Sequence, residues 1–185
     1  MIPIELKAPR FDPAPYLARI ARGEAACGDL ALRIDRDGRW HYQGTPIGRP
    51  AIVKLFASVL HRLPDGTYWL VTPGEQGRIE VEDVPFVIVE LRCAGSASAP
   101  LIELRTNLDE WVPLDRDHPL TLRGIGQPPV EVPYVMVRDG LAARLARPVY
   151  YELVEVAQPD PSGRWLEVTS GGARFAVGRL DGVEA

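Results

Sequence analysis

The chain has 185 residues, 46% hydrophobic and 25% charged, with 21 Lys and Arg against 25 Asp and Glu and a formal net charge of −4. This length holds one large domain or two small ones around a real core. The charge balance excludes extended nucleic acid as the main partner, since such surfaces need a basic excess or stripe, but it leaves room for a local basic pocket for a small anion.

The opening "MIPIELKAPRFDPAP" reads as an arm, with prolines and charges and no apolar run of signal-peptide length. No stretch approaches the ~20 apolar residues that cross a bilayer. Cys27 and Cys93 lie far apart and lack a CxxC spacing, the pattern of reduced structural thiols. The expectation is a soluble, cytoplasmic protein with no membrane partner.

Pro13 and Pro15 introduce a short helix, "YLARIA", with Leu17 and Ile20 on one face. "LALRID", the turn "RDG" and "RWHYQG" then predict a hairpin. Ile52, Leu55, Phe56, Val59, Leu60 and Leu63 fall at helical spacing, so a helix is expected from Pro50 to about His61 with this stripe in the core. "LPDGTYWLVT" gives a turn and a strand, and "GRIEVED" alternates as another strand. "PFVIVELR" is apolar enough for a central strand, "CAGSASAP" reads as a loop, and "LIELRT" and "HPLTLRG" read as strands. "GIGQPPVEVP" (124–133) is rich in Gly and Pro and marks a domain junction. Beyond it come "YVMV", "RDG", "LAARLA", the helix "RPVYYELVEVA", the turn "DPSG" and the strands "RWLEVTS" and "ARFAVG".

The two halves share an order: strand, Arg-Asp-Gly turn, strand, Arg-Pro helix, Pro-Asp turn, Trp-containing strand, Thr-ended hairpin, strand. Ile52, Leu55, Phe56 and Val59 match Tyr150, Leu153, Val154 and Ala157 at one offset. The expected fold is therefore α+β, with two tandem related units of bent antiparallel sheet plus helix. Residues 1–29 form the arm and short helix, 30–124 the first unit, and 125–185 a second, smaller one. Small units leave an apolar face uncovered, so the two should pack, and the seam is where a pocket is expected.

Arg49 and Arg147 directly precede helices, where a cation opposes the helix dipole and Arg does not cap. They suit an anion site formed with helix N–H groups, or else pair with acids across the seam, or lay their stems on aromatics. In "RTNLDEWVPLDRDHPL", Arg105, Asn107, Asp109 and His118 are candidate ligand residues; turn and cap chemistry is the competing explanation. Asp117-His118 lacks a second His at metal-ligand spacing. His41, between Trp40 and Tyr42, reads as a half-exposed sheet residue, and His61 as a helix-ending cation. Trp69 and Trp165 are expected in the core. No GxSxG, GxxxxGK[ST] or HExxH occurs, and no cofactor or metal is expected.

"VEDVPFVIVEL", "RTNLDEWV", "DHPL" and "RPVYYELVEVA" resemble a bacterial domain-of-unknown-function family, the one numbered twelve eighty-five, over nearly the whole chain. The resemblance implies a duplicated α+β architecture whose C-terminal unit is pleckstrin-homology-like, although the short closing "GGARFAVG" departs from a complete barrel of that kind. It also implies that the interface binds a small, nucleotide-like ligand in signal transduction, and it brings no catalytic residues. The leading expectation is thus a non-enzymatic binding or signalling protein that holds a small anion at the seam. The alternatives are a protein-interaction module with a protein partner and a small hydrolase using Asp117, His118 or His41.

Overall fold

The computed structural model describes residues 11–24, 28–127 and 129–180, so Cys27 and the arm up to residue 10 lie outside the described residues. Helix α1 (Ala14–Ala21) sets Ile20, with Tyr16 and Leu17, against Leu63, Trp69 and Val71. The first sheet contains β1 (Gly28–Ile34), β2 (Trp40–Tyr42), β3 (Thr45–Pro46), β4 (Leu60–Arg62), β5 (Tyr68–Val71) and β6 (Gln76–Val81), in the order β3-β2-β1-β6-β5-β4. Helix α2 (Pro50–Ser58) crosses between β3 and β4. The second sheet contains β7 (Phe86–Ser96), β8 (Ala99–Thr106), β9 (Trp111–Pro113), β10 (Leu120–Ile125), β11 (Val130–Arg138) and β12 (Leu141–Leu145), in the order β10-β11-β12-β7-β8-β9. Helix α3 (Arg147–Glu155) leads to a three-stranded sheet of β13 (Gln158–Pro159), β14 (Trp165–Ser170) and β15 (Ala173–Arg179).

The protein is thus mostly sheet with three helices, and its two six-stranded sheets follow one another as related units. The expected all-antiparallel pairing is corrected at the middle of each sheet, where β1·β6 and β12·β7 run parallel. Partners distant in sequence, reached by a long crossover, can pair in parallel, whereas tight hairpins cannot. Other expectations also change. "CAGSASAP" continues the β7–β8 ladder, with Cys93 opposite Ile102, and Cys93 is exposed. The two ends of "GIGQPPVEVP" pair with each other in the β10–β11 hairpin, Ile125 opposite Val130, because Gly and Pro serve a hairpin as readily as a linker. Strands β7 to β10, grouped by sequence with the first unit apart from Ile125, hydrogen-bond within the second sheet. Helix α2 stops at Ser58, and Leu60–Arg62 becomes β4 by pairing with β5, which overrides the helical periodicity.

The repeated helices are rolled relative to each other. Helix α2 buries Val53 and Ala57, the third and seventh residues after Pro50; α3 buries Val149 and Leu153, the first and fifth after Pro148. The difference amounts to two residues, about 200° of roll, so the two helices present roughly opposite faces. Leu55 is consequently 62% exposed while Leu153, at the same offset, is fully buried.

One core runs through both units, joining Leu32, Trp40 and Val53 to Phe86, Ile88 and Leu145. The last sheet lies beside β10 and also reaches β8, where the Gly171 N–H donates to Pro100 O at 3.1 Å and the Ile102 N–H to Ser170 Oγ at 2.8 Å. In β1 the register against β6 shifts between Asp29 and Arg33, and Ala31 sits at φ 49°. Its N–H donates to Asp29 Oδ1 at 2.8 Å, and its carbonyl accepts from the Gln43 N–H at 2.9 Å. The left-handed region costs an alanine about 1–2 kcal/mol. Ala31→Gly is therefore expected to raise stability by up to about 1 kcal/mol after glycine's greater unfolded-state entropy, read as a higher urea midpoint.

Candidate functional site at the seam

The repeated Arg-Asp-Gly turns explain how the units dock. The first turn (36–38) presents two carbonyls to the second unit. Arg36 O accepts from Arg144 Nη2 at 2.7 Å, and Gly38 O from Asn107 Nδ2 at 3.1 Å. Asn107 also accepts the Val87 N–H at 3.1 Å, so one half-buried amide ties β7 to the turn of the other unit. The second turn (138–140) reciprocates. Arg138 Nη2 donates to Ala57 O of α2 at 3.0 Å, and its Nη1 pairs with Glu110. Its guanidinium lies 5.1 Å from the Phe86 ring centroid. Each unit therefore offers the same turn to the other.

Two polar groups flank these contacts. At the hinge, the Tyr134 hydroxyl donates to both Asp83 oxygens at 2.9 and 3.0 Å, and Arg144 Nε stands 3.4 Å from Asp83 Oδ2. Burial, helped by the Asp83 hydrogen bond, pushes the Tyr134 phenol up to about 12. On the other flank, Lys54 of α2 reaches Asp109 at 2.6 Å, and Asp109 takes Arg105 Nη1 at 2.8 Å. Arg105 also pairs with Glu90 through Nε at 2.6 Å. The Lys54 and Arg105 hydrogen bonds hold the Asp109 carboxyl below the usual range, and Glu90 and Asp109 raise Arg105. Between the flanks lies a cleft of about 380 Å³ lined by Lys54, Ser58, Phe86, Leu108, Glu110 and Arg138.

Of the candidate residues, the structure brings Arg105, Asn107 and Asp109 together at the seam. Arg49 is the extended residue before α2 and Arg147 the first residue of α3; both are exposed, and neither side chain has a hydrogen bond or ion pair among the described residues. His118 stands apart, with its N–H and Nδ1 both on Asp115 Oδ1 at 2.9 Å, while the Asp117 N–H caps the same oxygen at 3.0 Å. His41 pairs through Nε2 with Asp35 at 2.9 Å. His61 lies in β4 rather than ending a helix, and burial lowers its pKa, with Arg138 contributing the same way. Trp69 is buried against α1, whereas Trp165 is half-exposed beneath the Arg179 guanidinium at 4.6 Å.

Sequence reasoning missed Lys54, Asp83, Arg138 and Arg144. The signal for Arg138 was present, since it is the arginine of the second repeated turn. Lys54, the single lysine among the described residues, was available as an isolated cation on an otherwise apolar helix.

Together the fold and the seam define a duplicated, mostly-sheet protein whose halves dock through reciprocal turns. Residues 24–84 match the model described as "Domain of unknown function (DUF1285), N-terminal domain", and residues 85–177 the one described as "Protein of unknown function (DUF1285), C-terminal domain". The chain belongs to the DUF1285 family. The crystal structure of a DUF1285 family protein from Silicibacter pomeroyi DSS-3 is similar at 35% identity over 85% of each chain, with a TM-score of 0.77. One from Shewanella baltica OS155 is 29% identical, covering 68% of this chain and 91% of that one, with a TM-score of 0.54. No curated protein matches. No helix among the described residues is long and apolar enough to cross a membrane.

Proposed function

We propose that the protein is a non-enzymatic binding protein that holds a small anionic, nucleotide-like ligand in the seam cleft and signals through the fit of its two units. The observation that carries this reading is the convergence of one cation from each unit, Lys54 and Arg138, on one cleft. Two cations drawn from different units suit a small ligand bearing phosphate or carboxylate. Among the described residues the Lys54 amine is held only by an exposed carboxylate, an exchangeable partner that an incoming anion can replace. A catalytic reading is less well supported, because neither His41 nor His118 lines this cleft. A pleckstrin-like second unit would have to accommodate α3 between β12 and β13.

A thermal-shift series with nucleoside mono-, di- and triphosphates tests the reading. A ligand at 100 times its Kd adds roughly 2.7 kcal/mol, which for a chain of this size raises Tm by several degrees. Lys54→Met should abolish the rise while leaving the unliganded Tm nearly unchanged. An absence of any shift with every anion at millimolar concentration would overturn it.

A further inference from the structure

The first unit holds a second cleft, away from the seam and different in chemistry. It measures about 560 Å³ and lies between α2 and the sheet, walled by Leu30, Tyr42, Ile52, Phe56, Val59 and Leu70. Size and lining are those of small-molecule sites, which are largely apolar with a few directing polar groups. The directing groups are Asp29, Thr72 and Glu75, and among the described residues no cation lines the cleft. The Glu75 carboxylate has no partner among the described residues, and Asp29 spends one oxygen on the Ala31 N–H.

The aromatic walls, Tyr42 and Phe56, indicate what the space would accept. Two residues after the helix-starting proline, α3 carries Tyr150 where α2 carries Ile52. The Tyr150 hydroxyl stands 3.1 Å from where a Cβ on Gly178 would lie, so a phenol is laid against β15. Helix α2, rolled by about half a turn relative to α3, carries a shorter aliphatic side chain at that offset and turns it into the cleft, with half-buried Phe56 and Val59 beside it. We propose that this cleft binds a small aromatic molecule carrying a protonated amine, its ring lying among Ile52, Phe56 and Leu70 and its ammonium between Asp29 and Glu75.

Saturation-transfer NMR and calorimetry with tryptamine, against indole-3-acetate as the anionic isostere, test the proposal on the full chain. Tryptamine should bind about tenfold more tightly, with a preference that shrinks at high salt. Ile52→Tyr, which gives the first unit the residue of the second, should abolish tryptamine binding. Lys54→Met, at the seam, should leave it unchanged. Should Ile52→Tyr fail to fold, the double variant Asp29→Asn, Glu75→Gln decides, because the asparagine keeps an acceptor for the Ala31 N–H while both charges are lost. It should bind tryptamine and indole-3-acetate alike. No tryptamine signal at millimolar concentration, equal binding of the two compounds by the parent protein, or undiminished tryptamine preference in the double variant would each overturn the proposal.

Discussion

Asp83→Ala is expected to cost about 2–4 kcal/mol, read as a lower guanidinium midpoint, because it removes the carboxylate that both Tyr134 and Arg144 share. The Tyr134 side chain is 1% exposed, and Arg144 Nε is buried without a hydrogen bond, so neither group gains water when Asp83 is lost. Tyr134→Phe should cost less, about 1.5–3 kcal/mol, since it removes one charge-assisted bond and leaves the ion pair. Coupling in the double variant should be large, because the side chains form one network. The pH dependence carries a sign. The phenol is raised in the folded state to about 12 from an ordinary 10.0. Its stabilisation is therefore complete below about pH 10 and is lost as pH rises through 12. The gap between the parent and Tyr134→Phe should hold constant from neutral pH to about 10 and close above it, and a gap that widens there would refute this account.

The hinge matters because Asp83 directly precedes the boundary at which the two family models meet, and its partners come from the second sheet. The units are also tied by a core that passes through Phe86 and by two turns that reach in opposite directions. Reciprocal use of the same turn is what a two-fold interface produces when identical surfaces face each other. Within one chain, the halves have since diverged: the two turns retain Arg-Asp-Gly while their acceptors differ. A ligand between Lys54 and Arg138 would touch both halves of this arrangement, so its binding would bear directly on how they fit.

Much of the order of elements was legible because it rests on local chemistry. The Arg-Asp-Gly and Pro-Asp-Gly turns, the Pro50 and Pro148 helix starts and the alternation in β1 and β6 each act over a few residues. Sheet membership was not legible. The run "PFVIVELR" shows that β7 is buried, yet its parallel partner β12 lies more than fifty residues away, and no local pattern encodes that choice. Helix phase was legible only to within one residue: Ile52 and Phe56 are half-buried as their spacing suggests, whereas Leu55 faces outward because α2 rolls about its axis to cover Val53 and Ala57. At the seam, the polar stretch "RTNLDEW" announced Arg105, Asn107 and Asp109, but their partners Glu90, Gly38 and Lys54 come from β7 and from the other unit. Arg49 and Arg147 drew attention because they violate helix-end electrostatics, and on an exposed surface that violation costs too little to require compensation.

The two Arg-Asp-Gly turns are identical in sequence, yet replacing their glycines should have different consequences. Gly38 lies at φ 75° and Gly140 at φ 79°, so alanine at either position incurs a left-handed cost of about 1–2 kcal/mol. At Gly140 a Cβ would meet only Arg62 Cβ, at 3.9 Å, and the backbone term is the whole expected effect. At Gly38 a Cβ would stand 2.7 Å from Asn107 Nδ2 and 3.1 Å from Val87 Cγ2. That contact displaces the amide that bonds Gly38 O and the Val87 N–H, adding overpacking and a lost seam bond for a total of about 2–4 kcal/mol. Urea unfolding of Gly38→Ala, Gly140→Ala and Asn107→Ala, singly and combined, separates the terms. Asn107→Ala should itself cost about 1–3 kcal/mol by leaving its two backbone partners unpaired. In that background Gly38→Ala should fall toward the cost of Gly140→Ala, because the nearer of the two atoms it strikes is gone and only Val87 Cγ2 remains, whereas Gly140→Ala should add without coupling. Equal costs for the two glycines in the parent protein would mean that Asn107 yields freely, and that the first turn is not held against the second unit in the way its hydrogen bonds require.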